Sequence, residues 1–280
     1  MARLRSWNFL IVMCCLGVCL LLPAAALGQS PQTSPPTPSA IPPSTAPAQV
    51  AAPPAPDPSD SASQLEAEGD DLRAEKRFLD ALDYYNAALA KQPSALLWNK
   101  QGMSYLMLQH PDKAAKSFDH AIHFDKKAPE GYNNRGYIEQ MKKRYDKAIK
   151  YYSKAASLRP TDAVFQYNIG SAYFADHNYP KAAQAYKAAF TLDPNIFIRV
   201  SRTGIMAQAT SPEDRAAFSF MVAKMYARAG DVDHSLEYLR KAMENGYKKI
   251  NEVYTDQEFA SMRTDKRFEE LMAQRPQSIQ

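Results

Sequence analysis

The chain has 280 residues, enough for one or two ordinary domains, and its 45% hydrophobic content is typical of a globular protein. Lys and Arg number 34 while Asp and Glu number 30, so the two charge signs nearly balance. This balance excludes binding to nucleic acid through bulk positive charge.

The N-terminus has the composition of a secretory signal peptide. A short basic region precedes an apolar run over residues 9–22, and small residues follow it. We predict that residues 1–28 form a signal peptide cleaved before Gln29, and that the protein is exported to the periplasm or the extracellular space. The alternative is an uncleaved anchor over residues 7–27, which would tie the protein to the inner membrane.

The cysteines Cys14, Cys15 and Cys19 all lie inside this leader. After cleavage, the mature protein would have no disulfide framework, no thiolate metal site and no cysteine nucleophile. Cleavage would also remove Arg3 and Arg5, which brings the net charge still closer to zero.

Residues 29–61 are dominated by proline, alanine and serine. Eleven of the chain's 20 prolines fall between Ser30 and Ser61, and no charged residue of this segment precedes Asp57. Such a composition cannot bury a core and predicts a disordered linker rich in polyproline conformation. If mostly extended, the linker would reach on the order of 90 Å at about 3.1 Å per residue.

Beyond residue 61 the chain repeats with a period close to 34 residues. Four glycines are spaced 33, 34 and 34 residues apart, at Gly69, Gly102, Gly136 and Gly170. Two series of alanines follow with the same steps: Ala81, Ala114, Ala148 and Ala182, then Ala88, Ala121, Ala155 and Ala189. A fixed period of this length indicates a stacked array of repeats.

Each unit carries two helical patterns, and its small residues recur at the same places. Two helix axes pack about 8–10 Å apart, so a bulky side chain at their crossing would push them open. We therefore predict that the glycines and the first series of alanines lie where paired helices cross. Large aromatic residues are expected beside them, at Tyr85, Phe118, Tyr152 and Tyr186.

This pattern resembles the tetratricopeptide repeat family. The segment WNKQGMSY, residues 98–105, follows the family's Trp, Leu-Gly and Tyr spacing with Gln101 in place of Leu, and Ala114 and Phe118 follow in register. The resemblance covers residues 62–196 in four consecutive units. It implies an all-α tetratricopeptide-repeat solenoid, a right-handed superhelix of antiparallel helix pairs, with a helical C-terminal cap.

Two further segments follow the four units. Residues 216–250 reproduce the family spacing, with Ala223 and Ser235 in place of the usual Gly and Ala, and are predicted to form a fifth, similar unit. Residues 197–215 are an insertion before it that can cap a helix, extend one or kink the array. Ser-Pro-Glu-Asp at residues 211–214 is a strong helix start.

Residues 251–280 are predicted to cap the open end of the stack. A Thr-Asp pair followed by Phe three residues later occurs twice, at residues 255–259 and 264–268, and predicts two short capped helices. Their apolar residues would face inward: Phe259, Met262, Phe268, Leu271 and Met272. Repeat arrays need such caps because the last unit otherwise exposes its apolar face.

The sequence contains no motif for catalysis. It lacks a nucleophile elbow, a phosphate-binding glycine loop, HExxH and calcium-loop spacing. His120 and His123 lie three residues apart on one predicted helix without a third ligand, so we interpret them as solvated surface. We therefore predict a non-enzymatic protein without a metal or another cofactor.

The resemblance implies a binding groove. Family members use the first helix of each repeat to line a concave wall. At the corresponding positions and their asparagine neighbours this chain has Asn99, Met103, Leu106, Met107, Asn133, Asn134, Tyr137, Met141, Tyr167, Asn168 and Phe174. A groove rich in Met and aromatic residues suits an apolar peptide or helix of a partner protein. The alternative is that these residues pack against a neighbouring turn, the insertion or the tail.

One function known in the family does not match this chain. Members that clamp an acidic chaperone C-terminus need Lys, Asn and Arg at five groove positions. Only Asn134 matches, in one of the two frames. The identity of the partner therefore stays open, and we predict a protein–protein scaffold or adaptor of the cell envelope.

Three lysines point to an alternative function. Lys113, Lys147 and Lys181 recur at 34-residue steps and should align as a stripe on the convex side. A solvated face is the ordinary interpretation of such charges. The sharper interpretation is binding to an anionic surface, such as lipid headgroups or a cell-wall polymer.

Overall fold

A computed structural model of the protein describes residues 55–199 and 211–275. The predicted signal peptide, most of the predicted linker and the middle of the predicted insertion lie outside these residues. The first part contains eight helices: α1 (Ala62–Ala74), α2 (Phe78–Lys91), α3 (Ala95–Met107), α4 (Pro111–Phe124), α5 (Pro129–Met141), α6 (Tyr145–Leu158), α7 (Ala163–Ala175) and α8 (Tyr179–Leu192). Within the described stretches, no helix is both long and apolar enough to cross a lipid bilayer.

These helices form four antiparallel pairs stacked in chain order. The predicted crossings of small residues against aromatic rings hold each pair together. A Cβ atom on Gly136 would lie 2.8 Å from the ring of Tyr152, and one on Gly170 would lie 2.6 Å from the ring of Tyr186. Both distances are well inside van der Waals contact, so only a residue without a side chain lets the helices approach this closely.

The array begins inside the predicted linker. Lys91 Nζ donates a hydrogen bond of 2.7 Å to the carbonyl oxygen of Pro58. Ser61 caps α1: its hydroxyl accepts a hydrogen bond from the Gln64 backbone N–H, while its own N–H donates to the Gln64 side chain. The end of the predicted linker is therefore held against α1 and α2, unlike the disordered spacer expected from its proline content.

A fifth antiparallel pair follows, formed by α9 (Pro212–Ala229) and α10 (Val232–Glu244). Its helices cross at the predicted small residues, where Ser235 Oγ donates a hydrogen bond of 2.9 Å to the Ala223 carbonyl. α9 begins at Pro212, at the helix start predicted from residues 211–214, because the Ser211 side chain caps it and proline favours the first helical position.

α9 runs opposite to the direction expected for the first helix of a fifth repeat. Near its start, Phe218 packs on Phe174 at the end of α7, with 6.3 Å between ring centres. Near its end, Tyr226 packs on Phe190 at the end of α8, with 5.1 Å between ring centres. α9 is therefore parallel to α8, whereas the first helix of a regular repeat is antiparallel to the helix before it.

The connection between α8 and α9 is much longer than the turns between regular pairs. Regular pairs are joined by tight turns such as residues 159–162, which bring the next helix back at once. Residues 193–211 separate α8 from α9, and a helix as long as α8 spans about 20 Å. A connection of this length is sufficient to span α8. The predicted roles of the insertion (capping, extending or kinking) did not include this reversal.

The C-terminal segment covers the fifth pair. Two 3₁₀ helices, Ile250–Tyr254 and Gln257–Met262, precede α11 (Lys266–Gln274). The side chains of Asp256 and Asp265 cap the second 3₁₀ helix and α11. All five residues predicted to face inward are buried, although the first predicted helix is a 3₁₀ helix. The all-α architecture of stacked helix pairs with a helical cap is thus confirmed for the described residues.

Candidate functional site

Four of the predicted groove residues form an accessible patch on α3 and α5. Met107 and Met141 occupy equivalent positions in consecutive repeats and are 54% and 50% exposed. Met103 and Tyr137, which are also equivalent to each other, lie one turn earlier and are half-buried. We name these four residues the Met–Tyr patch. Solvent reaches this part of the predicted groove most freely.

The four asparagines of the predicted groove are buried instead. Asn168 Nδ2 donates to Asn133 Oδ1 at 2.7 Å, and Asn133 Nδ2 donates to Asn134 Oδ1 at 3.2 Å. Asn134 Nδ2 in turn donates to Asn99 Oδ1 at 3.4 Å. Because a buried amide must find hydrogen-bond partners inside the protein, these residues tie α3, α5 and α7 together rather than facing a partner.

The remaining predicted groove residues are covered by other parts of the protein. Leu106 is buried in a cluster that includes Phe118. Tyr167 and Phe174 are buried because Phe218 of α9 packs on both of their rings. The predicted groove is therefore open on α3 and α5. At α7 it is closed, because its residues pack against a neighbouring segment, as in the alternative interpretation.

Hydroxyl and amide groups continue the polar contacts between repeats. The Tyr152 hydroxyl donates to Gln140 Oε1 at 3.1 Å, and Gln140 Nε2 donates to Ser171 Oγ at 3.1 Å. Burial raises the pKa of Tyr152 and Tyr186 well above the usual value for tyrosine. Both hydroxyls are therefore neutral at physiological pH and serve as structural hydrogen-bonding groups.

The lysines of the predicted stripe are exposed, but two of them contact aromatic rings. Lys113 Nζ lies 5.5 Å from the centre of the Tyr105 ring, and Lys181 Nζ lies 5.3 Å from that of Tyr173. Such contacts are worth about 0.5–1 kcal/mol at exposed sites. Within the described residues, Lys147 has no ring contact and none of the three lysines forms an ion pair.

The predicted histidine pair lies at the surface, although one ring is partly covered. Both histidines are exposed, and the His120 ring stacks on Trp98 with 4.5 Å between ring centres. In residues 55–199 and 211–275, no cluster of three or more His, Cys, Asp or Glu residues could hold a metal ion.

A second concave site, which sequence reasoning missed, lies between α8 and α9. It is a cleft of about 930 Å³, bounded also by the segment after α10. Aromatic and methionine side chains dominate its lining: Phe174, Phe190, Phe220, Met221, Met225 and Tyr247. Typical ligand clefts measure about 300–1,000 Å³. The insertion was the only signal of this site in the sequence, and an insertion does not reveal the direction of the helix after it.

Comparison with solved structures finds weak similarity over most of the chain. PilF of Pseudomonas aeruginosa is 16% identical, with a TM-score of 0.49 over 76% of this chain and 97% of that one. MamA of Desulfovibrio magneticus RS-1 is 19% identical, with a TM-score of 0.47 over 68% and 97%. At these identities the likeness concerns the fold alone.

Two curated proteins are similar to part of the chain. BBSome complex member BBS4 of Bos taurus is 28% identical over 143 residues, 51% of this chain and 27% of BBS4. Small glutamine-rich tetratricopeptide repeat-containing protein 2 of Saccharomyces cerevisiae is 26% identical over 112 residues, 39% of this chain and 31% of that protein. The matched stretch therefore spans less than a third of either relative.

The family itself is identified by three sequence profiles, each described as a tetratricopeptide repeat. They match consecutive stretches, residues 66–129, 129–162 and 163–196. Together these stretches contain nearly all of the four regular helix pairs and end before α9. The chain is therefore a member of the tetratricopeptide repeat family, with its matched repeats in residues 66–196.

Proposed function

We propose that this protein is an exported scaffold that binds an apolar segment of a partner protein on the Met–Tyr patch. One observation carries the proposal: Met107 and Met141, which are equivalent residues of consecutive repeats, are both about half exposed. Two long apolar side chains at the same level of neighbouring helices form a continuous surface, and such surfaces mark interaction sites.

The chemistry of the patch suits a short helix or peptide. Methionine is flexible and polarisable, so it adapts to partners of different shape. Tyr137 adds a flat apolar ring with a hydroxyl at its edge, which can hydrogen-bond at the rim of an interface. Neighbouring helices pack about 8–10 Å apart, so the patch has room for an apolar segment roughly one helix wide.

The proposed activity is binding alone, without a catalytic step or a cofactor. The N-terminal leader supports export to the periplasm or the extracellular space, with an inner-membrane anchor as the alternative. The buried asparagines stabilise the array that supports the patch.

We expect the double substitution Met107→Glu/Met141→Glu to reduce partner binding at least about tenfold, because a bound apolar segment would desolvate the new carboxylates. Crosslinking at the native location followed by quantitative mass spectrometry measures the loss. Leu79→Glu on α2 is the matched control, since Leu79 is 65% exposed and lies outside the patch. Circular dichroism should show unchanged helicity in both variants. Equal recovery of the same partners by both variants would disprove this proposal.

The lysine stripe supports a second, weaker proposal, binding to an anionic surface. It depends on the exposed ammonium groups of Lys113, Lys147 and Lys181, which form no ion pair with other described residues. We expect co-sedimentation with anionic liposomes that declines with salt and is lost when all three lysines are changed to Glu. The matched control changes Lys116, Lys150 and Lys154 to Glu. Equal loss in the control would mean that general positive charge, not the stripe, is responsible.

A further inference from the structure

The cleft between α8 and α9 is long, apolar and bounded by two helices that run in the same direction. Its lining on α8 extends from Tyr179 to Thr191, a length of about 18 Å at 1.5 Å per residue. Near the end of α8, Phe197 packs between Phe190 and Tyr226. Tyr186 of α8 and Phe218 of α9 also pack on each other, with 5.3 Å between ring centres, but neither ring lines the cleft.

The edges of the cleft are positively charged. Lys187 on α8, Arg228 on α9 and Lys248 after α10 are exposed, and none forms an ion pair within the described part of the chain. Two of the three lining carboxylates already have basic partners. Glu258 pairs with Lys224 at 3.6 Å, and Glu252 pairs with Lys249 at 3.9 Å. The cleft can therefore bind carboxylates of another molecule, and it has few unpaired carboxylates of its own.

The charges of the chain argue against an occupant from its own undescribed segments. Residues 1–54, 200–210 and 276–280 contain no Asp or Glu. Residues 200–210 contain a single charged residue, the basic Arg202, which would add positive charge to positive edges. An acidic occupant must therefore come from another molecule.

The lining also decides which backbone conformation fits. Phe, Met and Ala side chains on α8 and α9 offer no hydrogen-bond partners for a peptide backbone. An extended strand would leave its N–H and C=O groups unsatisfied there, whereas a helix satisfies them internally. A cleft about 18 Å long matches about 12 helical residues.

We propose that this cleft binds an acidic amphipathic helix of a partner protein. The apolar stripe of that helix packs on Phe190, Phe220 and Met221, and its Asp and Glu side chains pair with Lys187 and Arg228. The site shares no residue with the Met–Tyr patch, so the inference is independent of the proposed function.

A phage-displayed library of 18-residue helical peptides tests the proposal against the full-length protein. The library fixes an apolar stripe and varies the flanks among Asp, Glu, Lys, Arg and Gln. We expect selection of acidic flanks. By fluorescence anisotropy, a selected peptide should bind Lys187→Glu/Arg228→Glu at least about tenfold more weakly than the unchanged protein. A version of the peptide with Lys in place of each acidic residue should instead prefer this variant.

Three further variants locate the binding site. Ala183→Trp fills the cleft without removing a core side chain and should abolish binding of the selected peptide. Lys150→Glu/Lys154→Glu reverses two exposed lysines outside the cleft and should leave binding unchanged. Met107→Glu/Met141→Glu should also bind normally, which separates this site from the Met–Tyr patch.

Four outcomes would overturn the proposal. The first is selection of peptides without acidic flanks, and the second is peptide binding that no cleft variant weakens. The third is displacement of the peptide by a fluorescent fatty acid that binds more tightly than any selected peptide. The fourth is a dimer of the protein that Lys187→Glu/Arg228→Glu dissociates. The third outcome would identify the cleft as a lipid site. The fourth, measured by light scattering across concentrations, would make a second copy of the chain the occupant.

Discussion

Replacing Phe197 by alanine is expected to separate the melting of the helices after residue 211 from that of the four repeats. The ring of Phe197 lies between the two parts, with its centre 5.9 Å from that of Tyr186 and 5.8 Å from that of Phe218. The carbonyl oxygen of the same residue accepts a hydrogen bond of 3.1 Å from the Tyr238 hydroxyl. Loss of a half-buried ring from such a cluster should cost about 2–4 kcal/mol.

Differential scanning calorimetry is the direct measurement. We expect one transition in the unchanged protein and two in Phe197→Ala, with α9 to α11 unfolding at the lower temperature. Hydrogen exchange should show faster exchange of α9 amides and unchanged exchange in α3 to α6. Phe124→Ala is the matched control because Phe124 is 55% exposed. A single transition at the original temperature in Phe197→Ala would show that the cluster does not couple the two parts.

The second large effect is expected for Gly136→Ala in α5. Alanine favours a helix by about 1 kcal/mol relative to glycine, but here its Cβ would lie 2.8 Å from the Tyr152 ring and 3.2 Å from the Ala148 carbonyl oxygen. The ring is buried and cannot move aside, so overpacking should destabilise the protein by about 1–3 kcal/mol in chemical denaturation.

Gly131→Ala in the same helix is the matched control. Its Cβ would meet the Ile122 side chain at 3.0 Å, and this partly movable neighbour should limit the net change to within about 1 kcal/mol of zero. Tyr152→Leu replaces the opposing ring with a smaller side chain. It should destabilise the Gly136→Ala variant less than it destabilises the unchanged protein, because it relieves the collision. Additive effects of the two substitutions would contradict the steric explanation.

The regular repeats could be predicted from the sequence because their packing admits very few residue types. At the helix crossings, contact between a backbone and an aromatic ring demands glycine, and this demand recurs every 33 or 34 residues. The cap was predictable for a similar reason, since Asp256 and Asp265 start helices by accepting local hydrogen bonds. These features depend on neighbours close in sequence or on an exact period.

The exposure of the individual groove residues was less predictable from the sequence. Asparagine at a groove position serves equally well to bind a partner or to pair with the next repeat, and only the geometry separates the two. Asn133 and Asn168 pair across repeats, with 2.7 Å between donor and acceptor. Phe174 is an aromatic residue at a groove position, as expected of a binding surface, yet α9 covers it. No period in the sequence predicts where α9 packs.

The reversal of α9 also limits how this protein could grow. A regular solenoid offers the same edge at the end of every unit, so duplicated units can be appended one after another. Here the edge that follows α8 is occupied by α9, which runs opposite to the first helix of a regular repeat. Another regular unit therefore cannot pack on it in the regular way. Gene duplication could lengthen the array only ahead of α8. The α9–α10 hairpin therefore ends the array of regular repeats after α8.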